Sequence, residues 1–227
     1  MAIEPVITIH RKFKRPAAKL LQQFAGIPTG FLCDAMNRRG ALDPSIQSVG
    51  SFKPFVGTAL TVKGTAADNL AAHVSMSQVK PGDVVIVGTE GFLDCAVFGD
   101  NMVGMWKNCG ALAVVTDGAI RDVHEIRKIG LPVYARGVTP DSPFKNGPGT
   151  IGGTISFGGA VIEAGDIVIG DDDGIVIVPQ KKAAEVLRAL EAVKDKESKQ
   201  GKNIAGGLRM SAWVGDFIEK GGVRYAD

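Results

Sequence analysis

The run Ala111 to Thr116 is apolar at every position before its final threonine, the pattern of a strand covered on both faces. Such a strand needs layers above and below it, and the neighbouring sequence supplies candidates. Upstream, an apolar strand is expected around Val56 to Val62, a helical stretch after Asp68, and a second strand at Val84 to Val87 behind the turn Pro81-Gly82-Asp83. A helix from about Asn101 to Asn108 leads into the run itself. This order is that of an α/β fold. Two short helices precede it: one enters through Pro16, carries Leu20, Leu21 and Phe24 on one side and stops at Gly26, and the other starts after Thr29. Beyond Gly130 the spacing tightens into β-rich runs at Val133 to Ala135, Thr154 to Phe157, Ala160 to Glu163, Ile167 to Ile169 and Gly174 to Val178. Lys181 to Lys199 places Ala183, Val186, Leu187, Leu190 and Val193 at helical spacing, an amphipathic helix. A second helical stretch near Ser211 to Glu219 follows Gly201 to Gly207, which reads as flexible. The expected division is a catalytic domain over residues 1–180 and a C-terminal helical extension over 181–227, packed on a neighbouring subunit.

A length of 227 residues suits one large domain with an appendage, and 45% apolar with 22% charged residues is a globular balance. The 26 basic and 24 acidic residues are mixed along the chain and leave a net charge of +2, which makes no electrostatic case for nucleic acid. The basic cluster His10 to Arg15 reads as a solvated N-terminal arm. Cys33, Cys95 and Cys109 are odd in number and lack CxxC spacing, which argues against a disulfide framework and a cysteine zinc site. No apolar run approaches the ~18 residues that span a bilayer. The expectation is a cytoplasmic protein with neither membrane nor nucleic-acid partner.

Two stretches carry candidate chemistry. Thr116-Asp117-Gly118-Ala119-Ile120-Arg121-Asp122 sets a small-residue turn at the end of the buried strand and follows it with a cation and a carboxylate. Ligands favour the carboxyl ends of strands in α/β folds. An arginine can clamp a substrate carboxylate, and an aspartate can hold a hard divalent cation. The alternative is a surface salt bridge opening a helix, with Asp122 as a first-turn carboxylate. Phe98-Gly99-Asp100-Asn101-Met102-Val103 enters the helix before the same strand. Its free N–H groups form an anion seat, with Gly99, Asn101, Met102 and Val103 as candidate substrate-binding positions. Asp100 either caps that helix or orients water on a metal. Because both stretches flank one strand, they can face one pocket. Other features read more plainly. His124 is a surface histidine, about 200° from Asp122 on a helix. Asp171-Asp172-Asp173-Gly174 is a β-turn lacking EF-hand spacing, and Asn146 to Gly153 is a glycine loop without the Lys-Ser/Thr of a P-loop.

The GDNM segment (99–102), the DGAIRD segment (117–122) and the GDDDGIVIVP run (170–179), in that order, resemble one family. It unites 4-hydroxy-4-methyl-2-oxoglutarate/4-carboxy-4-hydroxy-2-oxoadipate aldolases with the regulator of ribonuclease activity A. The resemblance spans about four fifths of the chain, Ala17 to Glu197. It implies an αββα sandwich of the swivelling-domain (phosphohistidine-domain-like) type, a homotrimer or homohexamer, and active sites between subunits. It also implies a class II pyruvate aldolase that uses Mg²⁺ or Mn²⁺ and a small-molecule 2-oxo acid, with oxaloacetate decarboxylase side activity. Arg121 matches the arginine that binds the pyruvate carboxylate, Asp122 the direct metal ligand and Asp100 the carboxylate that meets the metal through water. The N–H groups of Asn101 and Met102 match those that receive the carboxylate. Glu197 falls near an acidic residue lent by a neighbouring subunit. The family also contains regulatory proteins that inhibit a ribonuclease without catalysis, in which the carboxylate after the arginine is replaced. Here Asp122 is retained.

Overall fold

The computed structural model describes residues 4–50 and 53–226, so the few remaining positions of the two expected spans lie outside the described residues. In chain order the elements are β1 (Ile7–Ile9), α1 (Ala18–Gln22), α2 (Thr29–Ala35), β2 (Gln47–Ser48), β3 (Phe55–Lys63), α3 (Leu70–Ser75) and β4 (Asp83–Gly88). Then come β5 (Ala96–Phe98), α4 (Asp100–Asn108), β6 (Ala113–Thr116), β7 (Ala119–Ile120), α5 (Val123–Ile129), β8 (Val133–Ala135) and β9 (Gly137–Val138). The chain finishes through β10 (Gly149–Ile151), β11 (Ile155–Phe157), β12 (Ala160–Ile162), β13 (Ile167–Asp171), β14 (Gly174–Val178), α6 (Ala183–Ala205) and α7 (Ala212–Glu219).

The main sheet is mixed and has nine strands. Its path is β1-β10-β3-β4-β6-β8-β2, with β13 joined to β3 and β14 to β13. Strands β3, β4, β6 and β8 run parallel. The period-2 geometry of a strand sends alternate side chains to opposite faces, and every central strand here is apolar on both. Val85 and Val87 of β4, Val114 of β6, and Val133 and Ala135 of β8 enter one core with Met102, Val103, Trp106 and Ile126 from the helices. Val84 and Ile86, Ala113 and Val115, and Tyr134 enter a second core with Ile155, Phe157 and Ile162 of the β11–β12 hairpin. The continuous apolar run thus follows from burial on both sides. In the β13–β14 hairpin, Ile167, Ile169, Val176 and Val178 face a third cluster with Phe24, Leu32, Ala183, Val186 and Leu190. The first turns of α6 are therefore part of the body.

Several expectations need correction. The segment Asn146 to Gly153 contains β10, which lies between β1 and β3 in the sheet. A Cβ on Gly149 would come 2.4 Å from the Ala71 Cβ and 2.8 Å from the Lys63 carbonyl oxygen, so this glycine serves close packing of a strand rather than a loop. The N-terminal region is only partly a solvated arm. Arg11, Lys12 and Lys14 are exposed. Arg15, however, binds the fully buried Asp83 through Nε and Nη2, each at 2.8 Å, and lies 4.4 Å from the centre of the Phe13 ring. Gly201 lies within α6, which continues to Ala205 instead of breaking into a flexible stretch. The turn at Asp172-Asp173 is as expected, and Asp171 beside it accepts bonds from Thr29 N and Oγ1, tying α2 to the hairpin. No helix among the described residues is long and apolar enough to cross a membrane.

The Arg15–Asp83 pair ties the segment after β1 to the start of β4. Arg15→Ala leaves Asp83 with only the Lys80 N–H among its present donors. Breaking a pair with one buried member is expected to lower stability by about 2–3 kcal/mol, read as an earlier urea midpoint at unchanged slope. A midpoint equal to the parent's would show that Asp83 is held without Arg15.

Candidate active site

The second sheet, three parallel strands in the order β5-β7-β9, continues the chain beyond the carboxyl ends of β4, β6 and β8. Ala96 pairs with Ala119 and Phe98 with Ile120, while Ala119 pairs with Gly137 and Ile120 with Val138. Each strand delivers site residues just past its last position. Gly99 to Met102 follow β5, Arg121 and Asp122 follow β7, and Thr139 to Ser142 follow β9. The Arg121 N–H donates to the Phe98 carbonyl at 3.1 Å and the Thr139 N–H to the Ile120 carbonyl at 3.0 Å, which locks the three crossings side by side.

A cleft of about 200 Å³ opens there, walled by Asn69, His73, Ala96, Phe98, Gly99, Asp100, Asn101, Met102, Met105, Arg121, Asp122, Ser142, Pro143 and Lys145. A second opening, lined by Arg121, Asp122, Val138, Thr139 and Pro140, shares its two charged residues. An apolar cavity between α1 and β13 is larger, but its one carboxylate, Asp171, already accepts bonds from Thr29 and Asp173.

Gly99 is the N-cap of α4, and the Val103 N–H donates to its carbonyl at 3.2 Å. The N–H groups of Asp100, Asn101 and Met102 precede the first such bond, and no acceptor meets those of Asn101 and Met102 among the described residues. Val103, the fourth expected binding position, is not on the cleft wall: its N–H donates to the Gly99 carbonyl, and its side chain is fully buried in the core. Asp100 is the first residue of the helix, half-buried, and makes no cap hydrogen bond.

Asp122 occupies the N-cap position of α5 in the left-handed region, at φ 59°, yet its side chain caps nothing. Aspartate at an N-cap ordinarily accepts from the helix's first N–H groups, and a left-handed non-glycine residue carries strain. Here the backbone turns so that the carboxylate points away from its own helix, toward Gly99. A Cβ on Gly99 would sit 2.2 Å from Asp122 Oδ2. The glycine thus makes a cradle that a side chain would fill. Arg121 Nε lies 3.3 Å from Asp122 Oδ2, and its Nη1 donates to Ser142 Oγ at 2.5 Å. The salt bridge proposed as the plainer alternative therefore exists. It leaves Nη2 without a protein acceptor among the described residues and both side chains about 40% exposed.

Among the described residues no three His, Cys, Asp or Glu side chains cluster as a metal cage. Two uncapped carboxylates, Asp122 and Asp100, are a poor fit for zinc. They suit a hard cation that keeps most of its water. Glu197 does not belong to this cleft: it lies half-buried on α6, the helix that packs on α2. His124 is exposed, as expected. Sequence reasoning missed Asn69, His73, Ser142 and Lys145. Their only signals were a helix start after Asp68 and a lysine in a Pro-rich loop. Lys145 stands on the same wall. It is exposed, however, unlike the desolvated lysine that Schiff-base chemistry needs.

Burial, and secondarily the charge of Lys145, holds the His73 imidazole below its ordinary value. Lys145→Ala should raise the His73 titration midpoint without restoring it fully, since burial remains. The C2-proton shift followed by NMR reads this, and an unmoved midpoint would show that the two side chains do not sense each other.

The RraA-like family model, Aldolase/RraA, matches residues 29–177. A protein from Halalkalibacterium halodurans named "Putative 4-hydroxy-4-methyl-2-oxoglutarate aldolase" is 36% identical over 168 residues, 74% of this chain and 80% of that one. An uncharacterized protein from Pseudomonas syringae superposes with a TM-score of 0.75 at 28% identity, covering 86% of this chain and 96% of that one. The RNA-processing inhibitor RraA from Thermus thermophilis gives 0.62 at 27% identity, covering 67% and 92%.

Proposed function

The chain belongs to the RraA-like family, and from that premise we propose that it is a divalent-metal-dependent pyruvate aldolase. It would cleave a 4-hydroxy-2-oxo acid, such as 4-hydroxy-4-methyl-2-oxoglutarate, to pyruvate and a second carbonyl compound, and would decarboxylate oxaloacetate as a side activity. The finer fold assignment, an αββα sandwich of the swivelling-domain type, belongs to the same proposal. The observation that carries it is the convergence, in one cleft, of Arg121, the open N–H groups of α4 and two carboxylates that no helix uses.

Arg121 and the N–H groups of Asn101 and Met102 would receive the pyruvyl carboxylate, a charged acceptor matched by a guanidinium and a helix N-terminus. As the C3–C4 bond breaks, its electron pair moves to the pyruvyl half, and Arg121 offsets the developing enolate charge. The proton of the C4 hydroxyl would leave to a water oriented by Asp100 as the C4 carbon becomes the second carbonyl, and would return to C3 of the enolate to give pyruvate. A Mg²⁺ or Mn²⁺ ion held by Asp122 in the Gly99 cradle would supply Lewis-acid charge at the 2-keto oxygen. Glu197, outside the cleft of its own chain, would act only from a neighbouring copy. A homotrimer or homohexamer with residues 181–227 at the interface is therefore part of the proposal.

Chelation with EDTA should abolish pyruvate release, measured through lactate dehydrogenase, and added Mg²⁺ or Mn²⁺ should restore it. Asp122→Ala should lose calorimetric Mn²⁺ binding, whereas Arg121→Ala should keep it and drop in kcat/KM by ~30-fold or more, the low end expected for a half-exposed charged contact worth ~2 kcal/mol. Full turnover without metal, or Arg121→Ala within threefold of the parent, would return the pair to the status of a surface salt bridge. Release of no pyruvate from any 4-hydroxy-2-oxo acid would favour the non-catalytic regulator.

Action across the interface has its own test. Inactive Glu197→Ala and inactive Asp122→Ala subunits, mixed and exchanged, should regain some activity by forming sites with both residues intact. No recovery after verified exchange would remove Glu197 from the mechanism.

A further inference from the structure

The loop after β9, residues 139–146, is strapped to its surroundings along most of its length. The Thr139 N–H donates to the Ile120 carbonyl at 3.0 Å, and the Asp141 carbonyl accepts from the Ala96 N–H at 3.1 Å. Phe144 exchanges two bonds with the turn before α3, donating to the Ala67 carbonyl at 2.8 Å and accepting from the Asn69 N–H at 3.0 Å. The Asn146 N–H donates to Asp68 Oδ2. Pro140 and Pro143 each fix a further backbone angle. Between these straps stands Ser142, whose own N–H donates to Asp141 Oδ1 at 2.8 Å. Its hydroxyl oxygen is thus a fixed point on the cleft wall, and Arg121 Nη1 donates to it at 2.5 Å.

Arg121 needs such a point. Its side chain is 40% exposed, and a long side chain left loose in solvent must be ordered each time a ligand binds. Its other protein partner among the described residues is Asp122 Oδ2, 3.3 Å from Nε. That oxygen is the one directed at the Gly99 cradle, so a cation seated on Asp122 would compete with Nε for it. The Ser142 hydroxyl is neutral. It draws no cation to itself, and it orients the guanidinium without offsetting the positive charge that a substrate carboxylate needs. Resting on the reading of Arg121 as the seat of the pyruvyl carboxylate, we propose that Ser142 is a positioning residue. It holds the guanidinium in place through Nη1 while Asp122 is occupied by metal, and leaves Nη2 uncommitted for the ligand.

Ser142 is exposed, so its replacement removes no core contact. The first measurement needs no ligand other than Mg²⁺: the order of the Arg121 Nε–H group, followed by ¹⁵N NMR relaxation in the metal-loaded protein. Ser142→Ala should release it to the motion of a free surface arginine, and Ser142→Thr, which keeps the hydroxyl, should restore it. An Arg121 signal as ordered in Ser142→Ala as in the parent would overturn the proposal. The second measurement is the calorimetric affinity for pyruvate at saturating Mg²⁺ in the parent, Ser142→Ala, Arg121→Ala and the double variant. Ser142→Ala should weaken binding about three- to tenfold in the parent, the scale for ordering one long side chain, and should add nothing once Arg121 is gone. An equal loss in both backgrounds would also overturn it, because Ser142 would then act on the loop and not through Arg121. If the parent itself binds no pyruvate, the aldolase reading falls, and the relaxation measurement still decides whether Ser142 anchors the guanidinium.

Discussion

Everything at the candidate site depends on the register of three very short parallel strands. Phe98 opposite Ile120 and Ile120 opposite Val138 set the exits of β5, β7 and β9 next to one another. Parallel pairing makes all three chains leave in the same direction, so the residues after each strand share one cleft. A slip of one residue would turn Phe98 and Ile120, buried at 2% and 0%, toward the opposite face. The pairing is therefore enforced by the core beneath it, where Phe98 meets Trp106 edge-on at 5.1 Å between ring centres. Chemistry and packing meet at Phe98 and Gly99, one residue apart.

The carboxylates divide by what their oxygens accept. Asp117 takes the N–H groups of Thr89 and Gly91, Asp68 those of Leu70 and Asn146, and Asp166 those of Glu163 and Gln180. These are buried and spent on loop geometry. Burial pushes the Asp166 carboxyl up despite its two donors. Asp83 is spent on Arg15 and Asp171 on Thr29. Asp100 and Asp122 differ: neither carboxylate accepts a backbone N–H among the described residues, although both stand at helix starts where such donors are plentiful. A carboxylate left unused in that position is available to a cation or to water.

The C-terminal part divides as well. The beginning of α6 buries Ala183, Val186 and Leu190 against α2 and the β13–β14 hairpin. Beyond Gly201 most side chains are exposed, with Ile204, Met210, Trp213 and Phe217 each more than half accessible. Exposed apolar groups this numerous are the composition of a contact surface, consistent with the proposed place of residues 181–227 between subunits.

Much of the fold was legible because its signals are local. The runs Val84 to Val87 and Ala111 to Thr116, the turn at Pro81-Gly82-Asp83 and the spacing of Ala183, Val186 and Leu190 each state their environment within a few residues. Arg121, Asp122, Asp100, Asn101 and Met102 were legible as a group because two motifs flank one strand. The short strands β5, β7, β9 and β10 were not legible, since two or three residues carry no period and their pairing partners lie far away in sequence. Asn69, His73 and Lys145 were invisible for the same reason. Position in the chain says nothing of the neighbouring loop that reaches them, and only the parallel register brings the segments near 69, 99, 121 and 145 to one wall. Sequence alone determined which residues are buried and which groups could do chemistry, because burial and charge are properties of side chains in their local pattern. The tertiary structure decided which acceptors are already satisfied and which are left open, because hydrogen bonds between distant loops are made only when the strands beneath them pair.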